Sequence, residues 1–228
     1  MPPADAPLIE RDPAILKRRF KQRCAATNNV YQNWLIRVHR SLSWSIRAAT
    51  LAQQHPEAEL LYLWIALNSL YARWNNERNV PDQDHPSRGD FLRAFTSVET
   101  DRVIEFLRVS KPILRKLLGS PYLSNVFWRD PTSARAADLA RQDVYNLDRL
   151  LRDRRADKLL NAALDRVFVF RGQLVHGASS GGSRLNRSSL ESCLEFMRGV
   201  VPLLQHLVIE HGAHDDWPDL CYPPVEQR

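Results

Sequence analysis

The chain has 228 residues, an apolar share of 44% and a charged share of 25%, which are ordinary values for a soluble globular protein and exclude intrinsic disorder. The formal charge is +6, from 27 Arg and 5 Lys set against 26 acidic residues. Arginine offers a planar fork that matches phosphate oxygens, so an anionic partner, nucleic acid above all, is compatible with the balance. The opening Met1-Pro-Pro-Ala-Asp-Ala-Pro has neither a basic nor an apolar signal-peptide region. The apolar run Leu60–Leu67 is too short to span a bilayer. Three widely spaced cysteines, Cys24, Cys193 and Cys221, form no Cys-x-x-Cys pair. They argue against a disulfide framework or a thiolate zinc site, and fit a reducing cytoplasm.

Helical periodicity dominates along the chain. A basic amphipathic helix is expected over Pro13–Asn28, with Lys17, Arg18, Arg19, Lys21 and Arg23, and a long one over Val30–Gln54, with Trp34, Val38, Leu42 and Ile46 on one stripe. His55-Pro56 ends it, because proline disfavours helix in the residue before it. Glu57–Arg78 is apolar nearly all round and belongs in the centre of a bundle. A polar loop is expected over Asn79–Gly89, then helices over Phe91–Ser97, Thr100–Val109 and Pro112–Leu118, a break over Trp128–Thr132, and a helix over Ala134–Arg152.

The helix Asp157–Val175 places Leu160, Leu164, Val167, Phe170 and Leu174 on one face, and Gly177–Gly182 breaks the chain after it. Ser188-Ser-Leu-Glu191 reads as a capping box opening a last helix to His211. Two long helices joined by a short glycine-rich link should pack antiparallel. The fold class is all-α: one helical bundle over residues 34–212, an extra basic helix within 1–33, short inserted helices, and a tail over 213–228.

Arg171-Gly-Gln-Leu-Val-His176 closes the helix before that break. The Arg-x4-His spacing alone decides nothing, since this composition gives about 0.8 chance matches. The pair Arg78 and His85 fits a longer version, but the polar loop with Pro81 separates them. Context does more. Leu164-Asp-Arg-Val-Phe-Val-Phe-Arg-Gly-Gln-Leu-Val-His-Gly177 resembles the closing helix of HEPN domains. Trp64-Ile-Ala-Leu-Asn-Ser-Leu-Tyr71 resembles the central helix of their Apea-like branch, and Asp219-Leu-Cys-Tyr-Pro-Pro224 is similar to tails of that branch. The three stretches fall in the order the family has.

The resemblance implies metal-independent RNA cleavage with no cofactor, in which a ribose 2′-OH attacks the adjacent phosphorus and leaves a 2′,3′-cyclic phosphate. Imidazole titrates near neutral pH and serves as acid or base, and a fixed guanidinium stabilises the charge on the phosphoryl oxygens. His176 and Arg171 supply the two groups. The family further implies a homodimer with a composite cleft, a toxin or defence role, and an antitoxin or regulatory partner. Active members often carry a polar residue after the arginine, where this chain has Gly172. That departure leaves a weaker site, a substitute from elsewhere, or a non-catalytic module binding RNA, nucleotide or protein. Pairing of Arg171 with Asp165 or Glu195 is the structural alternative.

Second-tier candidates follow. Asn68 sits in the apolar helix, either as a satisfied buried amide or as a residue that positions Arg171. Gly172, Gln173, Ser179 and Ser180 lie within or just after the motif, and Arg152, Arg154, Arg155 and Lys158 form a basic approach to its helix. Trp64 and Tyr71 read as core. His206, His211, His214, Asp215 and Asp216 read as a solvated tail; His211-x-x-His214 has metal-ligand spacing without a supporting shell.

Overall fold

A computed structural model describes residues 10–27, 31–52, 54–178, 181–182, 184, 186–214 and 216–222. Ten α-helices and one 3-10 turn make up an all-α bundle, and the strands are confined to a two-residue antiparallel hairpin among the described residues. The first helix, α1 (Pro13–Ala26), starts where the Asp12 carboxylate accepts the Ala14 N–H at 2.8 Å and Pro13 occupies the first turn. It buries Leu16 and Phe20, the latter edge-on to Trp34. Its basic face turns outward, where Arg19 meets Glu210 at 2.5 Å.

The pair α2 (Gln32–Leu51) and α3 (Pro56–Tyr71) forms a hairpin, with Trp34, Val38 and Leu42 buried as the stripe requires. The central helix ends at Tyr71, seven residues before Arg78 where the apolar pattern carries it. Its last carbonyls are taken up by a side chain from α2. Arg37 Nη1 donates to Ala72 O at 2.7 Å and to Leu70 O at 3.3 Å, while Nη2 reaches Pro218 O at 2.9 Å. That clamp closes α3 and fastens the C-terminal segment, where Trp217 and Leu220 are buried. Burial lowers the Arg37 pKa to about 10, as expected for a guanidinium removed from water. The hairpin pairs Trp74–Asn75 with Val80–Pro81.

The expected loop over 79–89 is helical from Asp84, because α4 (Asp84–Thr96) holds Pro86 in its first turn, where no N–H donor is needed. Helices α5 (Thr100–Val109) and α6 (Lys111–Gly119), the 3-10 turn (Pro121–Leu123), α7 (Asn125–Arg129) and α8 (Arg135–Arg152) then lead to α9 (Ala156–Val175). Trp128 is therefore helical, and the break falls after Arg129.

The last helix, α10 (Arg187–His211), runs through the core with Val201–Ile209 buried without interruption. By length and composition it would suffice to cross a membrane, a property the short Leu60–Leu67 run concealed, but 83% of that window is buried inside the protein. A Cβ on Gly199 would lie 2.8 Å from the Phe106 ring, so glycine here permits the α5–α10 contact. The cap of α10 also differs from expectation. The helix begins at Arg187 after Asn186 in the left-handed region (φ 61°), and no side chain caps it. Ser188 and Glu191 therefore do not form a capping box.

Candidate functional site

The end of α9 is built by backbone hydrogen bonds. Ala178 N–H donates to Gln173 O at 2.9 Å and Gly177 N–H to Leu174 O at 3.2 Å, with Gly177 at φ +70°. This is the Schellman arrangement, and the positive φ is why glycine follows His176. His176 is the residue after the helix and leaves it in ψ (φ −89°, ψ 6°, the bridge region), which turns the next peptide and not its own Cβ. About 140° of rotation between Arg171 and His176 is thus largely retained. The His176 side chain is exposed and makes no hydrogen bond among the described residues.

Arg171 is half-buried, its guanidinium 5.7 Å from the Trp64 ring centroid and 5.3 Å from that of Phe168. Such stacking is worth about 0.5–1 kcal/mol where water still reaches the cation. Pairing with Asp165 or Glu195 does not occur. Asp165 projects about 120° away around the helix, where it takes Arg88 and lies 3.5 Å from His85 Nε2. Among the described residues Arg171 has no carboxylate within 4 Å.

Gly172 points between the two motif residues, and a Cβ there would meet nothing within 4 Å. Packing does not demand glycine; its effect is an open notch beside His176. Gln173 lies against the 3-10 turn, where its Nε2 and the Trp128 Nε1 both donate to Tyr122 O, at 3.3 and 2.9 Å. The rings of Tyr122, Phe127 and Trp128 stack edge-on in succession there, with Tyr122 and Trp128 exposed.

The same α9 face carries a cleft of about 520 Å³ toward its middle, floored by Asp165, Phe168 and Val169. Asn161, Asp165, Val169, Gly172 and His176 recur at three or four residues, the spacing of one helix face. Charge in this cleft is internally matched. Arg88, 1% exposed, donates to Asp84 at 3.0 Å, to Asn161 at 2.9 Å and to Asp165. Tyr71 donates to Asp84 at 2.6 Å; burial, then the carboxylate, hold its hydroxyl protonated well above the ordinary range. Arg166 takes Asp143 at 2.5 Å and Leu123 O at 3.2 Å. His85 lies at the mouth, 3.2 Å from Asn161. The sequence carried one signal for this network: Asp84–Arg88 and Asn161–Asp165 are both i,i+4 pairs.

Other candidates separate from the motif. Arg152 and Lys158 are exposed at the opposite end of α9, Arg154 pairs with Asp101 at 2.5 Å, and Arg155 lies 3.6 Å from Asp157. Lys158 is about 20 Å along the helix from Arg171, so these residues flank the site without joining it. Asn68 is half-buried one turn beyond Trp64 on α3, and its side chain makes no hydrogen bond among the described residues, neither to backbone nor to Arg171. Trp64 and Tyr71 are buried. Ser179, Ser180 and Asp215 lie outside the described residues.

The solvated-tail expectation fails for His206, which is buried on α10 with Nε2 2.5 Å from Arg102 Nη1 and 3.4 Å from Glu99. His211 meets the same carboxylate at 2.7 Å. Among the described residues no three His, Cys, Asp or Glu side chains converge to hold a metal ion. The chain matches no protein-family model, no curated protein and no solved structure.

Proposed function

We propose that this chain is a metal-independent endoribonuclease of HEPN type, with Arg171 and His176 as its catalytic groups. One observation supports the reading above the rest. The Schellman-closed end of α9 presents an exposed imidazole that has no partner among the described residues, one turn beyond a guanidinium that no described carboxylate neutralises. The buried Arg88 and Arg166 beside the cleft along α9, in contrast, are already paired with carboxylates.

In the proposed reaction one imidazole takes the proton of a ribose 2′-OH as that oxygen bonds to the adjacent phosphorus. The P–O5′ bond breaks, and a second imidazole protonates the leaving 5′-oxygen. The products are a 2′,3′-cyclic phosphate and a 5′-hydroxyl. Arg171 hydrogen-bonds the phosphoryl oxygens as charge accumulates there. Two histidines are needed at once, and the residual 140° between Arg171 and His176 keeps one chain's pair from converging. A homodimer that apposes two α9 ends supplies both. A cytoplasmic setting, a toxin or defence role and an antitoxin or regulatory partner belong to the same proposal.

A second reading, a non-catalytic HEPN module that binds RNA, nucleotide or a partner protein, draws on Gly172, which offers no polar group beside His176, and on the seating of Arg171 over two rings. Purified protein incubated with RNA in EDTA separates the two. The nuclease reading expects cleavage that survives EDTA, leaves cyclic phosphate ends, and is lost in His176→Ala and Arg171→Ala. Absence of cleavage by the unaltered protein, with RNA still bound, supports the module.

A further inference from the structure

On the other side of Leu123 from the α9 cleft is a second hollow, of about 290 Å³, which involves neither Arg171 nor His176. Its walls bring together Arg115 and Lys116 near the end of α6 with Ser188, Ser189 and Ser192 on the first turns of α10. Each feature of that wall favours an oxyanion. The first N–H groups of a helix have no intrahelical acceptor and sit at the positive end of its dipole. Here Leu190 N–H is the first to bond within the helix, to Asn186 O at 3.0 Å, and Arg187 N–H turns back to Arg184 O. The N–H groups of Ser188 and Ser189 have no acceptor among the described residues, and no side chain caps them.

The independent observation is Ser192. It lies one turn deeper on the same helix face, is 9% exposed, and its hydroxyl has no partner among the described residues. A helical serine either bonds the carbonyl four residues back or turns its hydroxyl outward; the Ser192 hydroxyl, bonded to nothing among the described residues, opens onto the hollow beside N–H groups that have no acceptor among those residues, and is an available donor. Charge agrees. Arg115 shares Asp148 with Lys111, at 3.4 Å against 2.5 Å, while Lys116 has no acidic partner among the described residues.

We propose that this hollow is a phosphate-binding site, in which the Ser188 and Ser189 N–H groups and the Ser192 hydroxyl hold the phosphoryl oxygens and Lys116 and Arg115 balance their charge. That the phosphate belongs to an RNA strand rests on the nuclease reading; the existence of the site does not. The 3-10 turn that separates the hollow from the α9 cleft, held to α9 through Gln173 and the Tyr122 carbonyl, also carries the exposed Tyr122 ring. A strand crossing this turn would place one phosphate in the hollow and an unpaired base on the ring.

The test uses the full-length chain and inorganic phosphate, read by calorimetry and by thermal shift against chloride at equal ionic strength. Ser192→Ala removes a hydroxyl that bonds nothing, so it should leave the melting temperature without phosphate unchanged and weaken phosphate binding at least tenfold. Ser188→Pro deletes one N–H at a helix position that tolerates proline, and should do the same. No binding by the unaltered protein, binding unaffected by either variant, or a Ser192→Ala protein less stable without phosphate overturns the site. In a second arm, preference for a 5′-phosphorylated oligonucleotide over its 5′-hydroxyl form identifies a terminal phosphate, and equal binding an internal one. Cleavage in EDTA is scored separately. Phosphate binding without cleavage removes the nuclease reading alone, and cleavage without phosphate binding removes this site alone.

Discussion

Helix α9 borders two regions built from the same side-chain types and used in opposite ways. In the middle, Arg88 and Arg166 are buried, Arg88 engaged by two carboxylates and an amide oxygen and Arg166 by one carboxylate and a carbonyl. At the end, Arg171 rests on aromatic rings with no carboxylate among the described residues, and His176 stands exposed. A guanidinium whose donors are consumed by its own protein is committed to holding helices together, because breaking it from its partners costs more than a new ligand returns. A guanidinium held only by its flat face still has its N–H edge to offer. The contrast teaches that arginine content says little about function; what matters is which arginines the fold leaves unspent.

Four changes break or sharpen this contrast. The largest effect belongs to the end of the helix. His176→Ala should lower RNA cleavage by about 10²- to 10⁴-fold, the range for removing a general acid–base group, with the melting temperature unmoved. In the middle the pattern reverses. Arg88→Ala leaves Asp84 and Asp165 without their shared cation and should destabilise the fold by about 2–3 kcal/mol in denaturant titration. That is below the roughly 3–5 kcal/mol of a fully buried pair, because both carboxylates reach water.

The third change concerns acid. Burial lowers the His206 pKa, and the neighbouring Arg102 adds to it; Glu99, Arg19 and Glu210 also face the ring. An imidazole depressed in the folded state takes its proton first in the unfolded chain. Its contribution to stability is present above the ordinary value of 6.5 and is lost as pH falls below it. Glu99 acts in the same sense. Burial raises its pKa, but the His211 hydrogen bond and the charges of Arg102 and His206 hold it below the ordinary carboxylate value. Melting curves should therefore show stability falling from near pH 6.5 downward, and His206→Gln should flatten the upper part of that decline. The smallest effect is at the notch: Gly172→Ser enters open space, relieves about 0.5 kcal/mol of helix penalty, and should raise the melting temperature slightly while restoring a polar group beside His176. A drop in stability would contradict the open notch.

The helices were largely legible because period and punctuation agree. Thr100–Val109 is helical over the expected residues, and the α9 end at Val175 follows from Gly177. What periodicity could not show was tertiary. The apolar run that ends at Tyr71 gave no hint that Arg37, 33 residues before Leu70, would cap the helix. His206 read as tail because its partners lie on α5 and the turn before it, about a hundred positions upstream. Of the candidate site, Arg171, Gly172, Gln173 and His176 were readable from one stretch, since a helix end is local. The rings beneath Arg171 come partly from α3, and the serine-lined hollow joins α6 to α10. No single window contains either.

The decisive measurement pairs cleavage with folding. Unaltered protein and His176→Ala are melted side by side and then incubated with single-stranded RNA in EDTA, with the product ends identified. The account predicts equal melting temperatures, cyclic phosphate ends from the unaltered protein, and almost none from the variant. Equal cleavage by both, or loss only when EDTA is added, contradicts it.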